Sequence, residues 1–323
     1  MFAEILNIIF PIFFVLLLGY AAGRANQFDS HQVAGINELV LKFALPASLF
    51  VGTVGVSRTQ LLQETPLLVA MLVSLVGVYI VVFLLGKLLF RHTVAGAALQ
   101  AIAVSFTAAP FFGPAVLSPI YGASSAVAIS MIALILNIVI VPATLVLLGI
   151  SLPPAESGTK PSAGALLGSA LVRAIKAPFV WVPLVAFALV LAGVGVPAVV
   201  DSGLGLIGHA TSGVALFVAG ITIAASKIVF NLEVGVNAVL KMVVLPVFFC
   251  VLAALLSVKA PFSYEGLLLT ALPSGPIGIL LATRYKIYEA EASSTVAVTM
   301  ILMLPTIPHR IVCDERRLNT NPK

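Results

Sequence analysis

Charge is the property that this chain has least of. Only 9% of its 323 residues are charged and 61% are hydrophobic, whereas a soluble domain typically has ~25% charged residues. The mean hydropathy of +1.18 excludes a soluble globular protein. Apolar runs of about 20 residues predict membrane-spanning helices, because the strands of a membrane barrel would alternate polar and apolar positions over ~10 residues.

Cysteine and enzyme motifs are also scarce. The two cysteines, Cys250 within a predicted span and Cys313 in the tail, provide neither a disulfide framework nor a metal-binding pattern. The sequence contains no His-Glu-x-x-His, no Gly-x-Ser-x-Gly and no phosphate-binding Gly-x-x-x-x-Gly-Lys. We therefore expect no enzyme activity, no cofactor, no metal and no ATP-driven transport by this chain itself. The net charge of +5 is scattered rather than clustered, so we expect no nucleic-acid partner.

The apolar runs predict an all-α membrane protein with ten transmembrane helices in two five-helix repeats. Residues 1–150 form the first repeat, 151–176 a Pro-, Ser- and Gly-rich cytoplasmic linker, 177–308 the second repeat and 309–323 a tail. The predicted spans are 4–22, 32–55, 66–87, 95–118, 122–149, 177–195, 199–225, 235–258, 264–283 and 291–308.

Basic residues predict the orientation of these spans. Loops after even-numbered spans contain only Arg58 and Lys259. Loops after odd-numbered spans contain Arg24, Lys87, Arg91, Lys160, Arg173, Lys176, Lys227, Arg284 and Lys286. The positive-inside rule then places the odd-numbered loops in the cytoplasm and both termini in the periplasm of an inner-membrane protein. The basic tail after Pro308 opposes this bias.

Weak internal similarity supports two repeats. One constant offset aligns Pro11 with Pro178, and a second aligns Pro110 with Pro273 and Pro142 with Pro305. Because each repeat has an odd number of spans, the two must be inverted relative to each other, as in many secondary transporters.

Spans four and nine are each interrupted by prolines, at Ser105–Pro114 and Thr270–Pro276. Proline removes a backbone donor, and lipid tolerates the freed polar groups only where protein or a cavity satisfies them. The purely structural interpretation is that the prolines kink two tightly packed helices. The functional interpretation is a binding site for an anion at the N-termini of half-helices near the bilayer centre. The predicted substrate-binding residues in these segments are Ser105, Thr107, Pro110, Gly113, Pro273, Ser274, Gly275 and Pro276.

A few polar side chains within the spans are further candidates. Glu38 and Lys42 have the i,i+4 spacing of an ion pair, either structural or functional. Lys241 is a candidate coupling or charge residue that either attracts an anionic substrate or, as we expect, extends towards the cytoplasmic interface. His209 either relays protons or is a hydrogen-bonded structural residue. The amide of Asn137 must hydrogen-bond a neighbouring helix or a ligand, and we include it among the substrate-binding residues.

The order and spacing of several motifs resemble the auxin efflux carrier family, whose bacterial members include malonate permeases. The resemblance covers the chain to about residue 308 and is carried by Lys42–Phe50, Phe112–Gly122, Asn137–Pro142, Ala215–Gly220, Lys241–Pro246 and Leu272–Tyr285. Two departures stand out: Thr107-Ala-Ala-Pro110 replaces the Asn and Gly common in bacterial relatives, and the third span has no internal acidic residue.

The resemblance implies a secondary transporter for a small organic anion such as malonate. Spans one, two, six and seven would form a scaffold, through which several members look like dimers, and the other spans would form a transport domain that moves in an elevator-like cycle. The coupling ion, H⁺ or Na⁺, stays open. The alternatives are a sodium-coupled symporter of the bile-acid type and a membrane receptor that transports nothing.

Overall fold

The computed structural model describes residues 2–122, 125–151, 162–225 and 228–303. Throughout these ranges the chain is helical, and the β-type pairing found there is one isolated bridge between Thr107 and Ser274. The predicted tail 309–323, residues 152–161 of the predicted linker, and Pro305, Lys160 and Lys227 lie outside the described residues.

The helices are numbered in chain order. Those of the first half are α1 (Phe2–Arg24), α2 (Ser30–Val54), α3 (Arg58–Gln63), α4 (Thr65–Leu88), α5 (Val94–Ser105), α6 (Ala109–Tyr121) and α7 (Ser125–Ser151). Those that follow are α8 (Ala163–Lys176), α9 (Pro178–Ala192), α10 (Ala198–Gly208), α11 (Ala210–Ala225), α12 (Leu232–Leu255), α13 (Phe262–Ala271), α14 (Ile277–Tyr285) and α15 (289–303).

Five stretches are long and apolar enough to cross a membrane: α2, α4, α7, the α10–α11 segment Ala198–Ala225, and α12. Shorter apolar helices, including α1, α5 and α9, accompany them. Apolar side chains such as Leu88, Val199 and Phe230 are largely exposed. A hydrocarbon environment removes the cost of exposing such side chains, so this outer surface is that of a membrane protein.

Three of the long helices contain a single π-helical turn that ends two residues before a proline. The turns are Val40–Ala44 before Pro46, Leu136–Ile140 before Pro142, and Leu240–Val244 before Pro246. Proline lacks an N–H donor and its ring crowds the carbonyl four residues back, so the helix widens by one residue to remain hydrogen-bonded. Each turn contains a polar residue that the sequence singles out, namely Lys42, Asn137 and Lys241 respectively.

Helices α1 and α11 cross in direct backbone contact. A Cβ atom built on Gly19 would lie 2.0 Å from the carbonyl oxygen of Phe217, and one built on Gly220 would lie 2.1 Å from that of Leu16. Only glycine permits this approach. The two helices are therefore locked together, as expected of a rigid unit.

The segment between the halves has more structure than a linker. Residues Ala163–Lys176, within the predicted linker 151–176, form α8, whose leucines include the side chain of Leu166 packed against Gly149 of α7. The sequence prediction missed this helix because the Ser-Gly-Pro content before it dominates the segment.

Candidate functional site

The two broken helix pairs meet at their interruptions. Helix α5 ends at Ser105 and α6 begins at Ala109, while α13 ends at Ala271 and α14 begins at Ile277. The N–H of Ala108 donates to the carbonyl of Pro273 at 2.8 Å, and the N–H of Gly275 donates to that of Phe106 at 2.7 Å. The two interruptions therefore satisfy each other's backbone groups, as burial demands.

Side chains reinforce this crossing. The hydroxyl of Thr107 donates to the carbonyl of Leu269 at 3.0 Å, and the N–H of Ser274 donates to the hydroxyl of Thr299 on α15 at 3.1 Å. The hydroxyl of Ser274 is fully buried and has no hydrogen-bond partner within the part of the chain that the structure describes. It is thus a buried polar atom available to a ligand or a water.

The glycines at the crossing allow close packing. A Cβ atom on Gly275 would lie 2.7 Å from the ring of Phe106, and one on Gly113 would lie 3.0 Å from the side chain of Ile129. Ser105 donates to Ala101 of its own helix at 2.7 Å. The N–H groups of Ser274 and Gly275, predicted to face a substrate, are used within the crossing in this state.

A small cavity of about 40 Å³ lies beside the crossing. Its lining comes from α2 and α11 on one side and from α6, α14 and α15 on the other. The lining includes Asn37, Phe111, Thr222, Pro276 and Met300. Of the predicted substrate-binding residues, Pro276 lines it; Asn137 does not, and Asn37, which was not selected, does.

A larger cavity of about 600 Å³ opens from the same place. Asn37, Phe111 and Pro276 line both cavities, so the small one lies at the inner end of the large one. The large cavity, called the vestibule from here on, also contains Glu38, Lys42 and Lys176. Glu38 and Lys42 form the predicted ion pair, so the charge that Lys176 adds gives the vestibule a net positive character.

A second cavity of about 600 Å³ lies at the opposite end of α2 and α6. His209, at the junction of α10 and α11, lines it together with Ser48, Ser118 and Ser212. His209 is exposed, so its side chain is accessible from this cavity. The crossing thus lies between two cavities that open at opposite ends of the helices.

Asn137 is directed towards its own helix. Its amide nitrogen donates to the carbonyl of Ala133 at 2.7 Å, within the distorted backbone around the π-helical turn. The side chain is 8% exposed. Its substrate-binding role stays a prediction, because contact with a ligand in this state would require that bond to open.

The expected extension of Lys241 to the cytoplasmic interface is wrong. Instead of extending to the interface, its side chain is fully buried, and Nζ donates to the carbonyl of Thr270 at 3.2 Å. Thr270 lies in the last turn of α13, where carbonyl groups lack intrahelical partners and carry partial negative charge. This end of a half-helix attracts the ammonium group more strongly than the distant interface does.

Sequence reasoning also missed a polar network among the cytoplasmic ends predicted for spans three, four, eight and ten. The hydroxyl of Tyr288 donates to Glu233 at 2.7 Å, and His92 lies 2.7 Å from the same carboxylate oxygen. The amide of Asn237 donates to Tyr288 at 2.9 Å and receives a bond of the same length from Gln100. Burial, followed by the hydrogen bond to Glu233, raises the pKa of Tyr288, which keeps the phenol protonated at neutral pH.

Two buried glutamates were missed as well. Glu64 precedes α4 and is 0% exposed, and Glu265 in α13 is 1% exposed. In the sequence both fall close to predicted span ends, where acidic residues ordinarily face solvent. In the described residues, no group of three or more His, Cys, Asp or Glu side chains could hold a metal ion.

Crossed half-helices between two opposed cavities in a helical membrane protein define the class of membrane transporters. Comparison with known sequences gives the family: the chain matches the Mem_trans family, described as membrane transport protein, over residues 4–311. The chain belongs to this family, which includes the auxin efflux carriers, and the resemblance seen in the sequence is confirmed.

Individual relatives are transporters by name. The chain is 35% identical over 300 residues to "Uncharacterized transporter YfdV" of Escherichia coli strain K12 and of Shigella flexneri, covering 92% of this chain and 94% of each relative. It is 24% identical over 311 residues to "Putative malonate transporter" of Rhizobium meliloti strain 1021, covering 94% of both chains.

Proposed function

We propose that this membrane transporter is a secondary transporter that moves a small organic anion, with malonate or a related carboxylate as the first substrate to test. The single observation that carries the proposal is the crossing at Thr107 and Ser274, beside a cavity that widens into a positively charged vestibule. The name of the Rhizobium relative supports the choice of malonate.

The binding site is built from backbone and amide dipoles rather than from a fixed charge. Asn37 offers an amide to the small cavity. The hydroxyl of Thr222, which also lines this cavity, donates to the carbonyl of Val218 at 2.9 Å. The first turn of α14, which begins directly after Pro276, has N–H groups without intrahelical acceptors and a positive dipole end. A carboxylate suits this set, because anions are stabilised at helix N-termini.

The vestibule collects anions and passes them to the crossing. Lys176 gives it positive character, because the charge of Lys42 is balanced by Glu38, and this raises the local concentration of an anion and its rate of entry. With the orientation that the loop charges predict, the vestibule opens to the cytoplasm and the cavity around His209 opens to the periplasm.

Alternating access follows from rigid-body movement between two units. The locked helices α1 and α11, with α2 and α9, form the scaffold; the broken helices move with α4, α7, α12 and α15. In this elevator-like cycle the crossing would pass from the vestibule to the cavity around His209. A homodimer through the scaffold would hold one unit fixed in the membrane.

Uptake of radiolabelled malonate into proteoliposomes tests the proposal. We expect saturable uptake that excess unlabelled dicarboxylate suppresses and that protein-free liposomes lack. If the protein is a secondary transporter, internal and external malonate should still exchange in the absence of ATP. Loss of uptake when sodium is replaced by choline would identify a sodium-coupled symporter instead, and binding without any flux would identify a receptor.

A further inference from the structure

Two buried carboxyl groups in the proposed moving unit have no assigned role. Glu64 is 0% exposed and Glu265 is 1% exposed. Both carboxylate oxygens of Glu64 and the Oε2 atom of Glu265 are buried without a hydrogen-bond partner among the residues that the structure describes. Leaving ionised carboxylates in this condition is among the most costly arrangements in a protein, so the site is built either for a bound cation or for a proton.

The two groups act on each other. Helix α13, which contains Glu265, packs against α4, which Glu64 precedes. Burial and, to a smaller extent, the negative charge of Glu265 together raise the pKa of Glu64 to about 8. Buried carboxylates that repel each other favour a state in which one of them is protonated, so a proton bound here belongs to the pair.

We propose that Glu64 and Glu265 form a proton-binding site in which the two carboxyl groups share a proton that is bound and released during the transport cycle. This inference rests on the proposed function for its link to transport. Binding converts the doubly ionised pair into one neutral and one ionised carboxyl group, and release reverses this step with no other reactant. We assign a proton rather than a transition-metal ion, because no third His, Cys, Asp or Glu side chain joins the pair within the described part of the chain; the sodium dependence measured below separates a proton from Na⁺.

The pair lies at one end of the helices. Glu64 directly precedes α4, between the exposed residues Gln63 and Thr65, so we infer that protons enter from this end. The orientation that the loop charges predict places this end of α4 on the periplasmic side.

The pair is also connected mechanically to the crossing. From Glu265, α13 continues to Leu269 and Thr270, whose carbonyls accept hydrogen bonds from Thr107 and Lys241. The axial distance from Glu265 to the crossing is about 10 Å at 1.5 Å per residue. Gly266 fixes the helix tightly, because a Cβ atom there would lie 2.2 Å from the ring of Phe249. A change of charge at Glu265 is therefore transmitted along a rigid half-helix.

Few other charged groups face the pair. Helices α6, α7 and the α12 segment Leu245–Leu255, all packed against α13, contain no Asp, Glu, Lys or Arg. The neighbouring π-helical turn contributes Lys241, which bonds to Thr270. Arg58 in α3 and Lys259 before α13 are the basic residues of the adjoining loops, and Tyr264 precedes Glu265. A pH effect that disappears when Glu64 and Glu265 are substituted can thus be attributed to these two glutamates.

The first test measures proton binding without reference to transport. A group whose native pKa lies above its unfolded pKa binds more protons in the native state, so stability falls as pH rises between about 4.5, the ordinary value, and about 8. We expect the Tm of the purified wild-type protein to fall across this range by several degrees more than that of Glu64→Gln or Glu265→Gln. Glu289→Gln, an exposed site on α15, is the matched control and should retain the wild-type slope.

The second test measures proton movement. A pH-sensitive dye inside proteoliposomes should report proton entry when malonate is added to the wild-type protein and to Glu289→Gln. Both Glu64→Gln and Glu265→Gln should lose this signal while still exchanging internal for external malonate, because exchange requires no net proton release.

Several results would overturn the inference. One is the wild-type dependence of Tm on pH in both glutamine variants, and another is substrate-driven proton entry that survives in both. A strict requirement for sodium would also do so. If the wild-type protein moves no malonate, the proposed substrate fails, but the Tm comparison still decides whether the pair binds a proton.

Discussion

The side-chain hydroxyl of Thr107 donates a 3.0 Å hydrogen bond to the carbonyl of Leu269, and so joins the first broken helix pair to the second. Leu269 lies in the last turn of α13, where carbonyl groups have no intrahelical N–H donor, so this carbonyl would otherwise be unpaired in an apolar environment. The crossing is therefore held by a side chain as well as by the reciprocal backbone bonds of Ala108 and Gly275.

Replacing Thr107 by Val keeps the shape and removes the donor. The buried carbonyl of Leu269 would then lose its hydroxyl donor, which lowers the free energy of unfolding by about 1–3 kcal/mol. We expect a lower Tm and slower malonate uptake. Ser202→Ala, which removes an exposed bond within α10, is the control and should leave both nearly unchanged. Uptake and Tm equal to wild type in Thr107→Val would contradict the role given to this bond.

Gly275 is predicted to tolerate no side chain. The new methyl group in Gly275→Ala would approach the ring of Phe106 to 2.7 Å and push the two interruptions apart. Transport should fall by about tenfold or more, consistent with a misplacement of 1 Å at a binding site. Gly235→Ala, in a helix with open space around the site, is the matched control. The measurement is initial uptake normalised to the amount of protein in the membrane.

Substitution of Asn37 and of Asn137 tests which of the two amides binds the substrate. Asn37 lines the small cavity, whereas the amide of Asn137 is bonded to Ala133 of its own helix. We expect Asn37→Ala to raise the KM for malonate by about tenfold, the effect of one lost hydrogen bond to a charged group. Asn137→Ala should have the smaller effect on KM. The reverse order would restore Asn137 as the substrate-binding amide.

Lys176 is predicted to speed anion entry. Lys176→Gln removes a cation from the vestibule and should lower the rate of uptake by roughly threefold to tenfold at low salt, with the difference shrinking as salt is added. Lys259→Gln, at the other end of the helices, should have no such effect on entry from the vestibule side. A salt-independent loss in Lys176→Gln would point to a structural role.

Tyr288 tests the polar network. Tyr288→Phe removes the donor to Glu233 and the acceptor for Asn237, and should lower the free energy of unfolding by about 1–3 kcal/mol. Thermal unfolding in detergent checks this, with Tyr20→Phe at an exposed site as the control. An unchanged Tm would show that the network contributes no stability.

Proline positions allowed much of the helical framework to be predicted from the sequence. A proline within an apolar run has few structural outcomes in lipid, so the breaks near Pro110 and Pro273 could be located in advance. The Glu38–Lys42 pair was predictable for a similar reason, since residues four apart on a helix are neighbours.

Burial depth could not be predicted in the same way. Glu64, Glu265 and Lys241 lie close to span ends in the sequence, where exposure is the usual outcome. Their burial depends on which helices pack around them, and that depends on contacts between distant segments. The direction of the Asn37 and Asn137 side chains could not be predicted for a related reason: spacing shows that both are polar residues within spans, but not which of them faces a cavity.

The most direct test of the transport site is malonate uptake into liposomes that contain the purified wild-type protein, Gly275→Ala or Gly235→Ala. We expect saturable malonate uptake by the wild-type protein and by Gly235→Ala, and loss of uptake by Gly275→Ala present in equal amount. Equal uptake by all three proteins would contradict the placement of the transport site at the crossing.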